Sequence, residues 1–266
     1  MGTKTLAIVG CGKLAKIVVQ ALTTGLLSDY QLTGTYSRTF EKAENIAEEI
    51  NKSEPGYSCT PLKTVEELIA LKPDYIIEAA SPISLRELAI PALKNGSSLI
   101  VLSIGALADT DFYEKVQRTA KENNTRVHLV SGSIGGFDVL RTVSLMGRSK
   151  ASFITEKGPN SLKNTPVYDD SLQHEKRKVF EGNAKEAIDL FPTKVNVAVA
   201  ASLASVGPTD MHVAVTSIPD YTGDNHRIEI ESDQVHAVID IYSKTSQIAG
   251  WSVVNTLRNI TSPIVF

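Results

Sequence analysis

Apolar positions fall into short runs that alternate with helical periodicity over the first half of the chain. Residues 5–9 form a short apolar run closed by Gly10, which predicts a strand. Leu14, Ile17, Val18, Ala21 and Leu22 then recur at helical spacing and predict an amphipathic helix. A strand over 31–36 precedes a helix marked by Phe40, Ala43, Ile46, Ala47 and Ile50. Runs at 75–79, 99–102 and 127–130 predict three more strands. Thr64 with Glu67, and Ser84 with Glu87, have capping-box spacing, so a helix is expected to start at each. Asn95-Gly96 reads as a helix C-terminus, and a further helix is expected near 111–123. Strands and helices alternating in this way predict βαβ units and a parallel sheet. The almost wholly apolar strands suit a sheet covered on both faces.

The pattern changes after residue 130. Residues 131–136 are glycine-rich and lead into a helix over 137–145. A strand is expected at 151–155, then a loop over 158–168 rich in Pro, Asn and Ser. Helices at 184–190 and 195–205 flank Pro192. Strands at 212–217, 226–231 and 234–242 are expected to run antiparallel, and 245–259 to form a helix.

Gly10-Cys11-Gly12-Lys13-Leu14-Ala15 matches G-x-G-x-x-A between a strand and a helix. The first glycine allows the tight turn, the second lets the backbone approach a pyrophosphate, and Ala15 lets the helix pack close. Gly10, Gly12, Lys13 and Leu14 are thus candidates to hold a dinucleotide at the positive end of the helix. A purely structural glycine turn is the competing reading. A carboxylate at the end of the second strand would bind the ribose of NAD. The chain instead has Ser37 and Arg38, with no acid before Glu41. Those two could hold a 2′-phosphate, so NADP is expected to be accepted alongside NAD; a solvated surface arginine fits the same position. The fold class expected is α/β, an N-terminal Rossmann-type parallel sheet with a second α+β domain. The first domain covers 1–131, and 132–244 forms a domain for substrate, catalysis and dimerisation. Composition leaves open whether the closing stretch, 245–266, packs back on the first domain.

Composition narrows the setting. The chain has 266 residues, 42% apolar and 21% charged, as ordinary globular proteins do. With 27 basic and 30 acidic residues its net charge is −3, which argues against general nucleic-acid binding. Cys11 and Cys59 are the two cysteines, too few for a disulfide framework, and no zinc-ligand spacing occurs. Every apolar run is broken before it could span a bilayer, and Met1-Gly2-Thr3-Lys4 lacks the features of a signal peptide. A cytoplasmic protein without metal, membrane or nucleic-acid partner is expected.

Further motifs are more specific. Ser103-Ile104-Gly105-Ala106-Leu107-Ala108-Asp109 and Ser131-Gly132-Ser133-Ile134-Gly135-Gly136-Phe137-Asp138 each follow a strand. Phe191-Pro192-Thr193-Lys194-Val195-Asn196-Val197-Ala198, then Asn225-His226-Arg227-Ile228, then Lys244-Thr245-Ser246 come later. In this order they resemble the L-aspartate dehydrogenase family, from Gly10 to about Ser246. The resemblance implies NAD(P)-dependent oxidative deamination of L-aspartate to iminoaspartate. That product goes to oxaloacetate and ammonia or feeds pyridine-nucleotide biosynthesis. It also implies a homo-oligomer, a catalytic histidine at His226, and cofactor contacts at Ser133 and Asn196. The chain departs from the family pattern at Ser133, where Ala is usual, and at Tyr242-Ser243, where Asn-Pro is usual. It also has Thr155-Glu156-Lys157-Gly158-Pro159 for the usual Thr-Arg-Lys-Pro-Pro. The missing arginine bears on substrate, because a dicarboxylate needs cations.

The residues themselves support part of this. His226 shares parity with Ile228 and Ile230, so it faces the apolar side at its strand's start. An imidazole there can act as general acid/base, and a hydrogen-bonded core histidine fits equally well on position alone. The other histidines have no metal-ligand partners at useful spacing. Lys157 and Lys244 are candidates for the substrate carboxylates, with Asn225 beside the histidine; solvated lysines are the plainer reading. Cys11 reads as a packing residue. Another two-domain imine or carbonyl reductase, or a dinucleotide-binding protein without catalysis, remain alternatives.

Overall fold

The computed structural model describes residues 2–53 and 56–266. They divide into two compact units, one of 2–53, 56–106, 110–130 and 249–266, the other of 107–109 and 131–248.

The first unit begins with β1 (Lys4–Val9), α1 (Lys13–Thr23), β2 (Tyr30–Tyr36) and α2 (Phe40–Lys52). It continues with β3 (Thr60–Leu62), α3 (Val65–Ala70), β4 (Tyr75–Glu78) and α4 (Pro82–Lys94). β5 (Ser98–Val101), α5 (Thr110–Glu122) and β6 (Val127–Leu129) complete the run. The strands order as β3-β2-β1-β4-β5-β6, all parallel. The order reverses direction between β1 and β4, the switch point beside which such sheets bind ligands. Leu6, Ile8, Leu32, Ile77 and Ile100 are fully buried on the strands and pack with Val18, Val19 and Ile46 from the helices. The expected α/β class is observed.

Two details differ from the expectation. Thr64 and Glu67 do form a capping box at α3. At α4, however, the cap is Ser81 rather than Ser84, because Pro82 at the first helical position has no N–H to satisfy and its fixed φ already starts the helix. Ser81 Oγ accepts from the Ser84 N–H at 3.2 Å. β3 was also absent from the expected strands.

The second unit holds α6 (Phe137–Leu145), β7 (Ser149–Lys157), β8 (Arg177–Asn183), α7 (Ala184–Leu190) and α8 (Asn196–Leu203). It closes with β9 (His212–Ser217), β10 (Asp224–Ser232) and β11 (His236–Ser243). Its sheet orders as β11-β10-β7-β9-β8. β10 is antiparallel to both neighbours, as expected. β9 is antiparallel to β8 but parallel to β7, so the sheet is mixed. Phe153, Thr155, Lys157, Val213, Val215, Ser217, His226, Ile228 and Ile230 are buried on one face. Ile154, Val238 and Tyr242 stand exposed on the other. The closing helix, α9 (Gln247–Thr261), buries Val253, Val254 and Leu257 in the core of the first unit. Tyr30 Oη donates to the Leu257 carbonyl at 2.7 Å.

Candidate active site

At the C-terminal end of β1 the chain turns sharply. Gly10 has φ +97°, and its N–H donates to the Tyr36 carbonyl at 2.9 Å. A Cβ on Gly10 would stand 2.6 Å from both the carbonyl carbon and the oxygen of Ala79, so only glycine lets this turn lie against β4. Gly12 is different: it caps α1, is exposed, and a Cβ there would meet nothing within 4 Å. No side chain caps α1, and its first turn holds no acid. The amides of Lys13 and Leu14 are thus among the unspent donors of a helix N-terminus beside an open space, which fits a pyrophosphate. Ser37 and Arg38 follow β2, half-buried and exposed respectively. Cys11 is buried, its thiol donates to the Tyr36 carbonyl at 3.5 Å, and burial pushes its pKa up to about 12. It is an inert packing residue at neutral pH.

Glu78 closes β4 and was not singled out in the sequence. Its carboxylate is fully buried and accepts from four donors. These are the amides of Ala80 (2.9 Å) and Ser81 (3.0 Å), and the amide (3.1 Å) and hydroxyl (3.0 Å) of Ser103. Burial pushes its pKa up while those bonds pull it down. The carboxylate fixes the loop against which Gly10 packs. The signal was a charge ending an apolar run.

In the second unit His226 is 2% exposed. Its Nδ1 lies 2.9 Å from Thr155 Oγ1, and its ring stacks obliquely on Phe153 at 5.4 Å. β10 pairs with β7 so that His226 is opposite Thr155 and Asp224 opposite Lys157. Lys157 is buried, and its Nζ donates to Asp224 Oδ1 at 3.0 Å. Burial pushes His226 down to about 4, the Lys157 charge pushes the same way, and Asp224 pulls back. The imidazole is therefore neutral at pH 7. A hydroxyl can donate or accept, so Thr155 supports either tautomer, and Nε2 can give or take a proton.

Asp224 was missed in the sequence although it shares parity with His226. Asn225 has the opposite parity and sits opposite Glu156 and Tyr242, so the structure does not bring it to the histidine's face. Period-two alternation is the reason. The same alternation turns Glu156 away from Thr155 and Lys157, and its carboxylate pairs with Lys176 at 3.1 Å. The position where the family carries arginine thus lies off the buried face. Lys244 is exposed just after β11, its backbone against Gly223. Ser133 lies half-buried in a loop where Gly132 and Gly136 have positive φ. A Cβ on Gly132 would stand 3.0 Å from Val197 in α8, which Asn196 begins. One on Gly135 would touch Ile241, the residue opposite His226. The structure therefore gathers the Ser133 loop and the start of α8 on the His226 side of the sheet.

Among the described residues no group of three His, Cys, Asp or Glu could hold a metal ion. No helix there is long and apolar enough to cross a membrane.

Comparison with known proteins decides the family. Residues 10–130 match the family described as homoserine dehydrogenase, NAD binding domain, and residues 138–260 match aspartate dehydrogenase, C-terminal. An L-aspartate dehydrogenase of Methanosarcina mazei is 31% identical over 97% of both chains. The chain belongs to the L-aspartate dehydrogenase family. The family member from Methanosarcina acetivorans is 32% identical over the same share. The crystal structure of aspartate dehydrogenase from Thermotoga maritima superposes with a TM-score of 0.75 at 28% identity, covering 99% of each chain. Membership makes this chain an NAD(P)-dependent amino-acid dehydrogenase, with NAD or NADP as cofactor. The cramped Gly10 and the open, uncapped α1 fit that group.

Proposed function

We propose that this dehydrogenase oxidises L-aspartate to iminoaspartate, which yields oxaloacetate and ammonia or enters pyridine-nucleotide biosynthesis. The observation that carries the reading is His226, buried and neutral, bonded to Thr155 and beside the cation of Lys157. The cofactor supplies a hydride acceptor for the substrate Cα hydrogen. His226 acts as general acid/base, taking a proton from the amine or from the water that attacks the imine. Gly10, Gly12, Lys13 and Leu14 hold the pyrophosphate, Ser37 and Arg38 the adenosine ribose, and Ser133 and Asn196 the nicotinamide end. Lys157 takes a substrate carboxylate, with Lys244 as the second cation. In this reading 1–131 binds cofactor and 132–244 supplies the substrate chemistry. The exposed Ile154, Val238 and Tyr242 support a homodimer through that face, and two free buried thiols support a cytoplasmic setting. The test is reduction of NAD and NADP by a panel of L-amino acids. Turnover with L-aspartate above all others is expected, and no turnover with any amino acid would overturn the reading.

A further inference from the structure

The Lys157–Asp224 pair is unfinished. An ammonium has three N–H donors, and Lys157 spends one, on Asp224 Oδ1, while its side chain is only 5% exposed. Among the described residues its other two donors meet no acceptor, which is costly for a buried cation. Asp224 Oδ2 has no partner among the described residues, and its side chain is 37% exposed. Ser217, the register neighbour of Lys157 on β9, is fully buried, and among the described residues its hydroxyl has no partner. One row across β9, β7 and β10 therefore carries unspent donors followed by an unspent anionic acceptor. His226 lies two residues along β10.

We propose that this row is the binding site for the zwitterionic end of an α-amino acid. Lys157 and Ser217 take the α-carboxylate, and Asp224 takes the α-ammonium. The inference rests on the amino-acid dehydrogenase reading and adds what selects an amino acid over a hydroxy acid or a plain dicarboxylate. A lone lysine would hold any carboxylate. The carboxylate at 224 rewards only a ligand that brings a cation with its anion. It leaves the substrate nitrogen on the His226 side of the sheet, where a proton must be removed before the Cα hydrogen departs as hydride.

The experiment compares L-aspartate turnover with inhibition by succinate, which has the two carboxylates and no ammonium. Asp224→Asn should raise the KM for L-aspartate about ten-fold or more, the scale of one lost ionic hydrogen bond. The succinate inhibition constant should stay the same or tighten, because Lys157 is freed from a competing anion. Lys157→Met should weaken both ligands, and Asp224→Glu should recover part of the aspartate affinity. Thermal melting and cofactor titration of each variant report folding separately. If Asp224→Asn weakens aspartate and succinate in parallel, Asp224 merely holds Lys157 in place and the inference fails. It fails also if neither constant moves. Turnover of another α-amino acid in place of L-aspartate would keep this site and displace only the choice of side chain. A wild-type protein that turns over no α-amino acid overturns both readings.

Discussion

Proton affinity at His226 is set first by burial and then by two neighbours of opposite charge. Burial contributes most to its low pKa, Lys157 adds to it, and Asp224 opposes both. Removing the lysine charge should therefore raise the histidine's pKa from about 4 toward its ordinary value. Titration of the His226 ring protons by NMR in Lys157→Met should show that upward movement, and an unchanged midpoint would mean that the lysine charge contributes nothing. The histidine's side was legible in the sequence, because Ile228 and Ile230 share its parity. Its partners were harder to read. Thr155 and Lys157 come from β7, about seventy positions earlier, and only the pairing register joins them to β10. Asp224 needed no register, since its parity with His226 is local. Asn225 was drawn in by adjacency alone, which in a strand means the opposite face.

The turn between β1 and α1 contains two glycines with separate duties. At Gly10 the conformation and the contact with Ala79 both forbid a side chain, so Gly10→Ala should destabilise the protein by at least 1–3 kcal/mol, roughly the cost of a strained backbone site. At Gly12 the backbone is ordinary, φ −91°, and the space is open. Gly12→Ala should leave melting almost unchanged and weaken cofactor binding, as the methyl group would occupy the ligand's approach. Thermal denaturation and cofactor titration separate the two; loss of stability at Gly12, or none at Gly10, would contradict the assignment. The elements that escaped the pattern are β3 and β8, both edge strands. β3 has three residues including Pro61, and β8 reads Arg177-Lys178-Val179-Phe180-Glu181-Gly182-Asn183 with a bulge. An edge strand pairs on one side only and tolerates charge and proline, so it lacks the apolar run that reveals a central strand.

For the whole molecule, the buried histidine links stability to pH. The unfolded chain binds a proton at His226 near its ordinary pKa of 6.5, whereas the folded protein resists protonation until about pH 4. Between those values protons favour the unfolded state. Stability contributed by the neutral imidazole is complete above pH 6.5 and is lost as pH falls toward 4. The loss is on the order of 3 kcal/mol. Urea unfolding at pH 7 and pH 5 should show about 2 kcal/mol of it, the rest being lost nearer pH 4, and His226→Gln should flatten that part of the profile. An equal decline in the variant would place the acid sensitivity elsewhere. The α/β architecture was legible because the first unit's central strands β1, β4 and β5 each carry a short apolar run between helical patterns. The mixed sheet of the second unit was not, because neighbouring residues from distant segments decide whether a strand runs parallel.

Both cysteines of the chain, Cys11 and Cys59, are buried in the first unit's core, and the second unit has none. Each has its pKa pushed up to about 12 by burial, so neither reacts with a thiol reagent while that core is closed. Chemical labelling of this protein is therefore a clock for one half of the molecule. Its rate counts the openings of the nucleotide-binding unit alone, and a dinucleotide seated over Cys11 would slow the clock in proportion to how tightly it holds.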